Sequence, residues 1–206
     1  MSWGLILSVY SLLLTISGVA QRTSGKITQR DALSIIIAFG VGAALHVQVF
    51  YLFNPYATAY WQAFPVVMAL TQQLARYLLP TTTKAASSGH DTIIAGYALT
   101  FVTSASFHFA LVLPYLSLDK FIEFLPSVSP VSRETGTLEQ IMILIMKWDI
   151  PIGSGAVLLT SLWFAKSFSQ FVVLAIAIVG GTALVGPAAA LSGILIWRET
   201  KLGRQS

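Results

Sequence analysis

The sequence contains no cysteine and few charged residues. Without cysteine, the 206-residue chain has no disulfide, no iron–sulfur cluster and no thiolate nucleophile. Only 10% of the residues are charged, whereas soluble domains carry roughly 25%. Hydrophobic residues make up 55% of the chain and fall into blocks of roughly 20, the length that crosses a bilayer. Lipid is therefore the expected solvent for most of this chain.

Several motifs of metal and nucleotide chemistry are also absent. The sequence has no HExxH, no Walker loop and no aspartate-rich pair of the kind that holds magnesium and diphosphate. Gly153-Ser154-Gly155 departs from the G-x-S-x-G nucleophile turn and has no matching His/Asp set in order. The sequence thus predicts no metal and no cofactor, and it disfavours a metal-dependent prenyltransferase and a serine hydrolase.

The formal net charge is +4, but the basic residues do not form a patch. Most of them lie between or beyond the apolar blocks: Arg22, Lys26, Arg30, Lys84, Arg198, Lys201 and Arg204. This distribution is typical of membrane-flanking charge and not of a nucleic-acid-binding face. No nucleic-acid partner is expected. Because basic residues divide evenly between the two sides of a six-span topology, membrane orientation stays open.

Six apolar blocks organise the chain. They cover about residues 2–20, 32–53, 57–79, 92–116, 138–164 and 171–197. Pro151 in the fifth block and Gly186-Pro187 in the sixth predict that both of these helices are kinked. The first block lacks a basic n-region and precedes a basic segment, so we expect a retained helix and not a signal peptide. The sequence predicts an all-α fold: a polytopic membrane helical bundle of about six transmembrane helices, with seven as the alternative, in a single transmembrane domain over 1–206. In a eukaryotic cell we expect it in the endoplasmic reticulum membrane.

The most informative polar residue is Asp149. Ionisable groups inside membrane helices are costly and are functional candidates by default. Asp149 lies about midway along the fifth block, next to Trp148 and two residues before Pro151. Gly153 follows on the same helical face and leaves space beside the carboxyl group. We predict that Asp149 is a catalytic acid; in the alternative interpretation, Lys147 and Asp149 mark a hydrated break between two half-helices.

A second row of polar residues lies on the fourth block. Gly96, Thr100, Ser104 and His108 recur at every fourth position and therefore share one side of a helix. Such a row binds either a ligand or a neighbouring helix, and small hydroxyl residues commonly do the latter in membranes. Packing is the favoured interpretation for Thr100 and Ser104. His108 remains a catalytic candidate, and Ser104 a candidate substrate contact.

Three further candidates surround the start of the third block. Trp61 and Gln62 are expected to line a cavity for substrate, together with Asn54 just before them. The alternative use of Asn54 is to form a turn with Pro55.

These residues resemble a known family, the fungal integral-membrane terpene cyclases of meroterpenoid biosynthesis. The resemblance rests on Trp148-Asp149-Ile150, on Gly153-Ser154-Gly155 and on the apolar run that ends at Leu162-Trp163. Asn54-Pro55 and Trp61-Gln62-Ala63-Phe64-Pro65 add to it more loosely. Together these stretches cover about a tenth of the chain.

The resemblance implies an enzyme, a metal-independent terpene cyclase of the isomerase or lyase type. Asp149 would protonate a prenyl or epoxyprenyl chain on a hydrophobic aromatic or polyketide core, and His108, a water or Asp149 would accept the final proton. Trp148 and Trp61 would face the cation. Where such enzymes use a second acid in an earlier helix, this sequence has none clearly embedded; Glu123 and Glu139 flank the blocks instead.

Two other functions stay open. The first is another lipid- or sterol-modifying membrane isomerase, which would also move protons inside a helical bundle. The second is a transporter or non-catalytic membrane subunit, in which Lys147, Asp149 and His108 line a path or pair between helices. The oligomeric state is open as well.

Overall fold

The structure, a computed structural model, describes residues 3–18, 27–50, 56, 63–80, 88–115, 119 and 138–203. These ranges contain seven α-helices and, apart from one isolated bridge between Thr28 and Ser88, no β-structure. The helices are α1 (Trp3–Ile16), α2 (Gln29–Phe50), α3 (Phe64–Leu78), α4 (His90–Phe107), α5 (Leu138–Thr160), α6 (Phe168–Val185) and α7 (Pro187–Gly203). The all-α prediction is confirmed.

Two stretches of the described chain are long and apolar enough to cross a membrane. They are His90–Ala110 and Phe168–Val185, judged by length and composition. By contrast, α1 has 14 residues, about 21 Å of helix, which is shorter than the roughly 30 Å of a hydrocarbon core. The prediction of about six transmembrane helices therefore stays a prediction.

The sixth apolar block differs from its predicted form. A single kinked helix was expected over 171–197, but Gly186 separates α6 from α7. Its φ of 87° and ψ of 159° lie in a region that is essentially open to glycine alone. Pro187 then starts α7, where its missing N–H costs nothing. In contrast, α5 continues through Pro151.

The chain clusters into two compact units. The first comprises residues 1–23 and 98–198, and the second comprises 24–97 and 199–206. In the first unit α1 packs against α5, and in the second α2 packs against α3. Helices α4 and α7 contribute residues to both units. The single transmembrane domain over 1–206 stays a prediction.

The start of α2 organises the second unit. Thr28 caps the helix, because its hydroxyl accepts a hydrogen bond from the Asp31 N–H at 3.1 Å and donates one to Asp31 Oδ2 at 2.8 Å. Asp31 Oδ1 lies 2.8 Å from Arg76 Nε, near the end of α3. Arg30 Nε also donates to the Arg76 carbonyl at 2.7 Å. Helices α2 and α3 are thus joined through their ends.

The start of α4 lies close to the same cap. The Gly89 N–H donates to the Ile27 carbonyl at 2.9 Å, and a Cβ at Gly89 would lie only 2.5 Å from the Thr28 carbonyl oxygen. Glycine is therefore required at this close approach.

Thr28→Ala tests the importance of this cap. Loss of an N-cap hydroxyl costs about 0.5–2 kcal/mol, so we expect a lower midpoint of thermal unfolding in detergent. Thr28→Ser is the matched control and should melt within about a degree of wild type, because it keeps the hydroxyl while losing only a methyl group. Equal melting of the alanine and serine variants would show that the cap contributes nothing.

Candidate functional site

Asp149 lies on α5 in the first unit. Its side chain is half-buried, whereas the neighbouring Trp148 is exposed. Pro151 lies inside the same helix and has no N–H to give to the carbonyl one turn earlier. The structure therefore places the predicted acid on a helix with a locally weakened hydrogen-bond ladder.

The helical face that continues from Asp149 is lined by small residues. Gly153 is buried and Ala156 is half-buried, and Thr160 donates its hydroxyl hydrogen bond to the Ala156 carbonyl at 2.8 Å. Gly155, where an added Cβ would meet no atom within 4 Å, lies on a different side of α5. The side chains that follow Asp149 on its own face are thus small.

His108 lies where α4 ends and a π-helical turn, His108–Val112, begins. Such turns are rare and occur frequently at functional sites. Its Nε2 lies 3.1 Å from the Ala183 carbonyl oxygen of α6. Because a carbonyl only accepts, Nε2 must carry the hydrogen, and in the neutral imidazole Nδ1 then holds the lone pair.

This hydrogen bond has a structural role at the end of α6. The last four carbonyls of a helix lack partners within it. The Thr182 carbonyl accepts a hydrogen bond from the Gly186 N–H at 3.1 Å. The Ala183 carbonyl accepts one from the side chain of His108, which follows α4. The imidazole also lies against Gly186, where an added Cβ would be 3.0 Å from Nδ1. His108 is therefore fixed against the turn between α6 and α7.

The hydroxyl oxygen of Thr182 is buried near this turn and has no hydrogen-bond partner among the described residues. Such groups are uncommon in folded proteins. Thr182, Ala183 and Gly186 were not predicted as site residues, because Gly186-Pro187 indicated only a kink and a backbone carbonyl leaves no mark in a sequence.

The structure locates four of the seven predicted site residues. Asp149 and Trp148 are neighbours on α5, and Ser104 is half-buried one turn before His108 on α4. Asn54, Trp61 and Gln62 lie outside the described residues. The roles of all seven stay predictions.

Gly186→Ala tests the turn and its contact with His108. The substitution forces a side chain into a glycine-only backbone conformation, at a cost of about 1–3 kcal/mol, and against the imidazole. We expect a fall in the thermal midpoint of about 2–4 °C per kcal/mol, measured in detergent.

Gly180→Ala is the matched control, since its Cβ would meet nothing within 4 Å and alanine favours a helix interior by about 0.5–1 kcal/mol. If both variants melted alike, the turn would not constrain the fold.

Fold and site together define a class of protein: an all-helical chain with span-length apolar helices and a half-buried carboxyl group on one helix. A family model, the CtvD domain, matches residues 13–202. The chain belongs to this family, which comprises fungal secondary-metabolite biosynthesis proteins. No curated protein and no solved structure matches the chain.

Proposed function

We propose that this protein is a membrane-embedded, metal-independent terpene cyclase that acts on a prenyl or epoxyprenyl chain in terpenoid or meroterpenoid biosynthesis. The observation that carries the proposal is the half-buried Asp149 on an apolar helix, beside a proline and a face of small residues. Membership of a family of secondary-metabolite biosynthesis proteins supports a role in making a small molecule.

The proposed reaction is an isomerisation. The carboxylic acid of Asp149 donates its proton to the epoxide oxygen, the carbon–oxygen bond opens, and a double bond of the same chain attacks the resulting cation. The last cation then loses a proton, so the product has the mass of the substrate. Trp148, and Trp61 by resemblance, would stabilise the cations through their faces, at about 0.5–2 kcal/mol per well-placed contact.

His108 suits the final step because its neutral form carries a lone pair on Nδ1 while Nε2 donates to the Ala183 carbonyl. The proton lost from the last cation would pass to Nδ1. The hydrogen bond to α6 would hold the ring in this tautomer and orient it.

Asp149→Asn is the first test of the reaction. We expect cyclisation of an epoxyfarnesyl aromatic precursor in microsomes to fall by a factor of about 10²–10⁴, the usual contribution of a general acid. The amide has the same shape but no acidic proton. Rates are measured by chromatography with mass-spectrometric detection, which separates the cyclised isomer from substrate of the same mass, and are divided by the amount of folded protein.

Asp91→Asn is the matched control, because Asp91 is an exposed acid in the first turn of α4, and it should cyclise at the wild-type rate. Full activity in Asp149→Asn would show that Asp149 is not the catalytic acid. A product heavier by one water would show that water captures the opened epoxide, contrary to cyclisation.

Turnover of a sterol but not of the prenylated precursor would favour the alternative lipid- or sterol-modifying isomerase. Turnover by purified protein without a gradient would argue against a transporter.

His108→Gln separates the two roles of the histidine. The glutamine amide can still donate to the Ala183 carbonyl but is not a base. We expect near-wild-type melting together with a rate lower by a factor of about 10²–10⁴ or a shift to products deprotonated elsewhere. His108→Ala, which loses both roles, should also melt earlier. Unchanged rate and products in His108→Gln would leave only the structural role.

A further inference from the structure

Aromatic side chains cluster where α5 is followed by α6. A 3₁₀ turn, Ser161–Phe164, ends α5. Trp163 in this turn and Phe168 and Phe171 at the start of α6 are exposed, Phe168 by 81%. The rings of Phe168 and Phe171 stack with centroids 6.4 Å apart and planes at 14°. We call Trp163, Phe168 and Phe171 the aromatic turn. Lys166 lies between Trp163 and Phe168 in the sequence.

The charge at this end of the first unit is positive. Lys166 is exposed, and the Arg198 guanidinium of α7 lies 4.6 Å from the centroid of the Phe164 ring. Helix α7 therefore returns from Gly186 towards the aromatic turn. The sequence has no aspartate or glutamate from residue 150 to residue 198. The next residue, Glu199, is an acid, and its carboxylate lies 3.4 Å from His90 Nδ1.

The length of α6 fits a bilayer between the aromatic turn and Gly186. Its 18 residues span about 27 Å, close to the roughly 30 Å of a hydrocarbon core. Large apolar side chains stay exposed along the helix, among them Val173, Ile176, Val179 and Leu184. Aromatic residues at the end of such a helix are typical of the membrane–water interface, where basic side chains reach headgroups.

We infer that the aromatic turn lies in the headgroup layer of a bilayer, with Lys166 binding the phosphate of anionic phospholipids and α6 crossing the apolar layer. The inference rests on the membrane placement in the proposed function. A lipid bilayer is the occupant that fits, because the exposed apolar surface continues over a bilayer's thickness and the charge at its end complements anionic headgroups.

This placement also sets the depth of Asp149. Between Asp149 and Trp163 lie eleven α-helical and three 3₁₀ steps along α5 and its final turn, about 22 Å along the helix axis. Asp149 would then lie within the apolar layer, in the half that is farther from the aromatic turn. A prenyl chain dissolved in lipid could reach it without leaving that layer.

The absence of cysteine allows a direct test with single nitroxide labels in liposomes of phosphatidylcholine and phosphatidylserine. Ser169→Cys, Ile176→Cys and Leu184→Cys place labels at the start, middle and end of α6, at exposed positions. Of the three labels, we expect the one at residue 176 to be relaxed most by oxygen and least by a water-soluble nickel complex. The labels at 169 and 184 should be relaxed less by oxygen and more by the nickel complex. Equal depth at all three positions would overturn the inference.

Lys166→Gln tests the phosphate contact. A bimane attached in the Ser169→Cys variant should be quenched more by nitroxide-labelled phosphatidylserine than by the phosphatidylcholine analogue, and Lys166→Gln should reduce this preference about fivefold. A bimane attached in the Leu184→Cys variant is the control and should respond equally with and without the lysine. No change at position 169 on removing the lysine would overturn the headgroup contact.

Ile152→Cys distinguishes failure of this inference from failure of the proposed function. Ile152 is exposed one turn beyond Asp149, and its label should be as deep as that at residue 176. Suppose that the label at 152 is shallow while the three labels on α6 show the expected depths. This result would overturn the depth assigned to Asp149 and place the proposed acid in water, but it would leave the aromatic turn in the headgroup layer. Loss of cyclisation in Asp149→Asn is read separately and is not altered by these labels.

Discussion

The reversal of the chain at Gly186 sets the arrangement of the first unit. A backbone with φ of 87° and ψ of 159° admits little but glycine, and it ends α6 so that α7 can return. The two helices then approach closely, since a Cβ on Gly181 would lie 3.0 Å from the Ala190 Cβ. The same ending leaves a carbonyl at Ala183 for His108 to bind. Helix reversal, close packing and the orientation of the candidate base thus depend on one residue.

Sequence patterns located the helices better than they located their ends. The end of α3 before Pro80 follows from the restriction that proline places on its predecessor, and the structure ends α3 at Leu78. Gly186-Pro187 was interpreted as a kink because membrane helices tolerate both residues. What separates a kink from a reversal is the φ of Gly186, and that angle depends on the packing of α7, which no local pattern reports.

The candidate site shows the same division between local and long-range information. Asp149 could be identified because an acid in an apolar block is visible without any contact. The partner of His108 could not, because the bond joins residues 75 positions apart and ends on a backbone oxygen. The Asp31–Arg76 pair, which joins two helices at their ends, was missed because its two side chains are far apart in the sequence. The sequence shows which polar groups need hydrogen-bond partners, but only the fold shows which residues those partners are.

Several hydroxyl groups among the described residues are hydrogen-bonded within their own helices. Thr15, Thr103, Thr160 and Ser192 each donate to the carbonyl four residues earlier, at 2.8–2.9 Å. Such a bond satisfies the hydroxyl without a partner from outside the helix. A carboxylate has no such option in a helix interior, since it only accepts and the backbone N–H groups there are already used. An acid on an apolar helix therefore needs either a hydrogen-bond donor from elsewhere or a proton of its own, and the proposed acid-initiated cyclisation would require the second state.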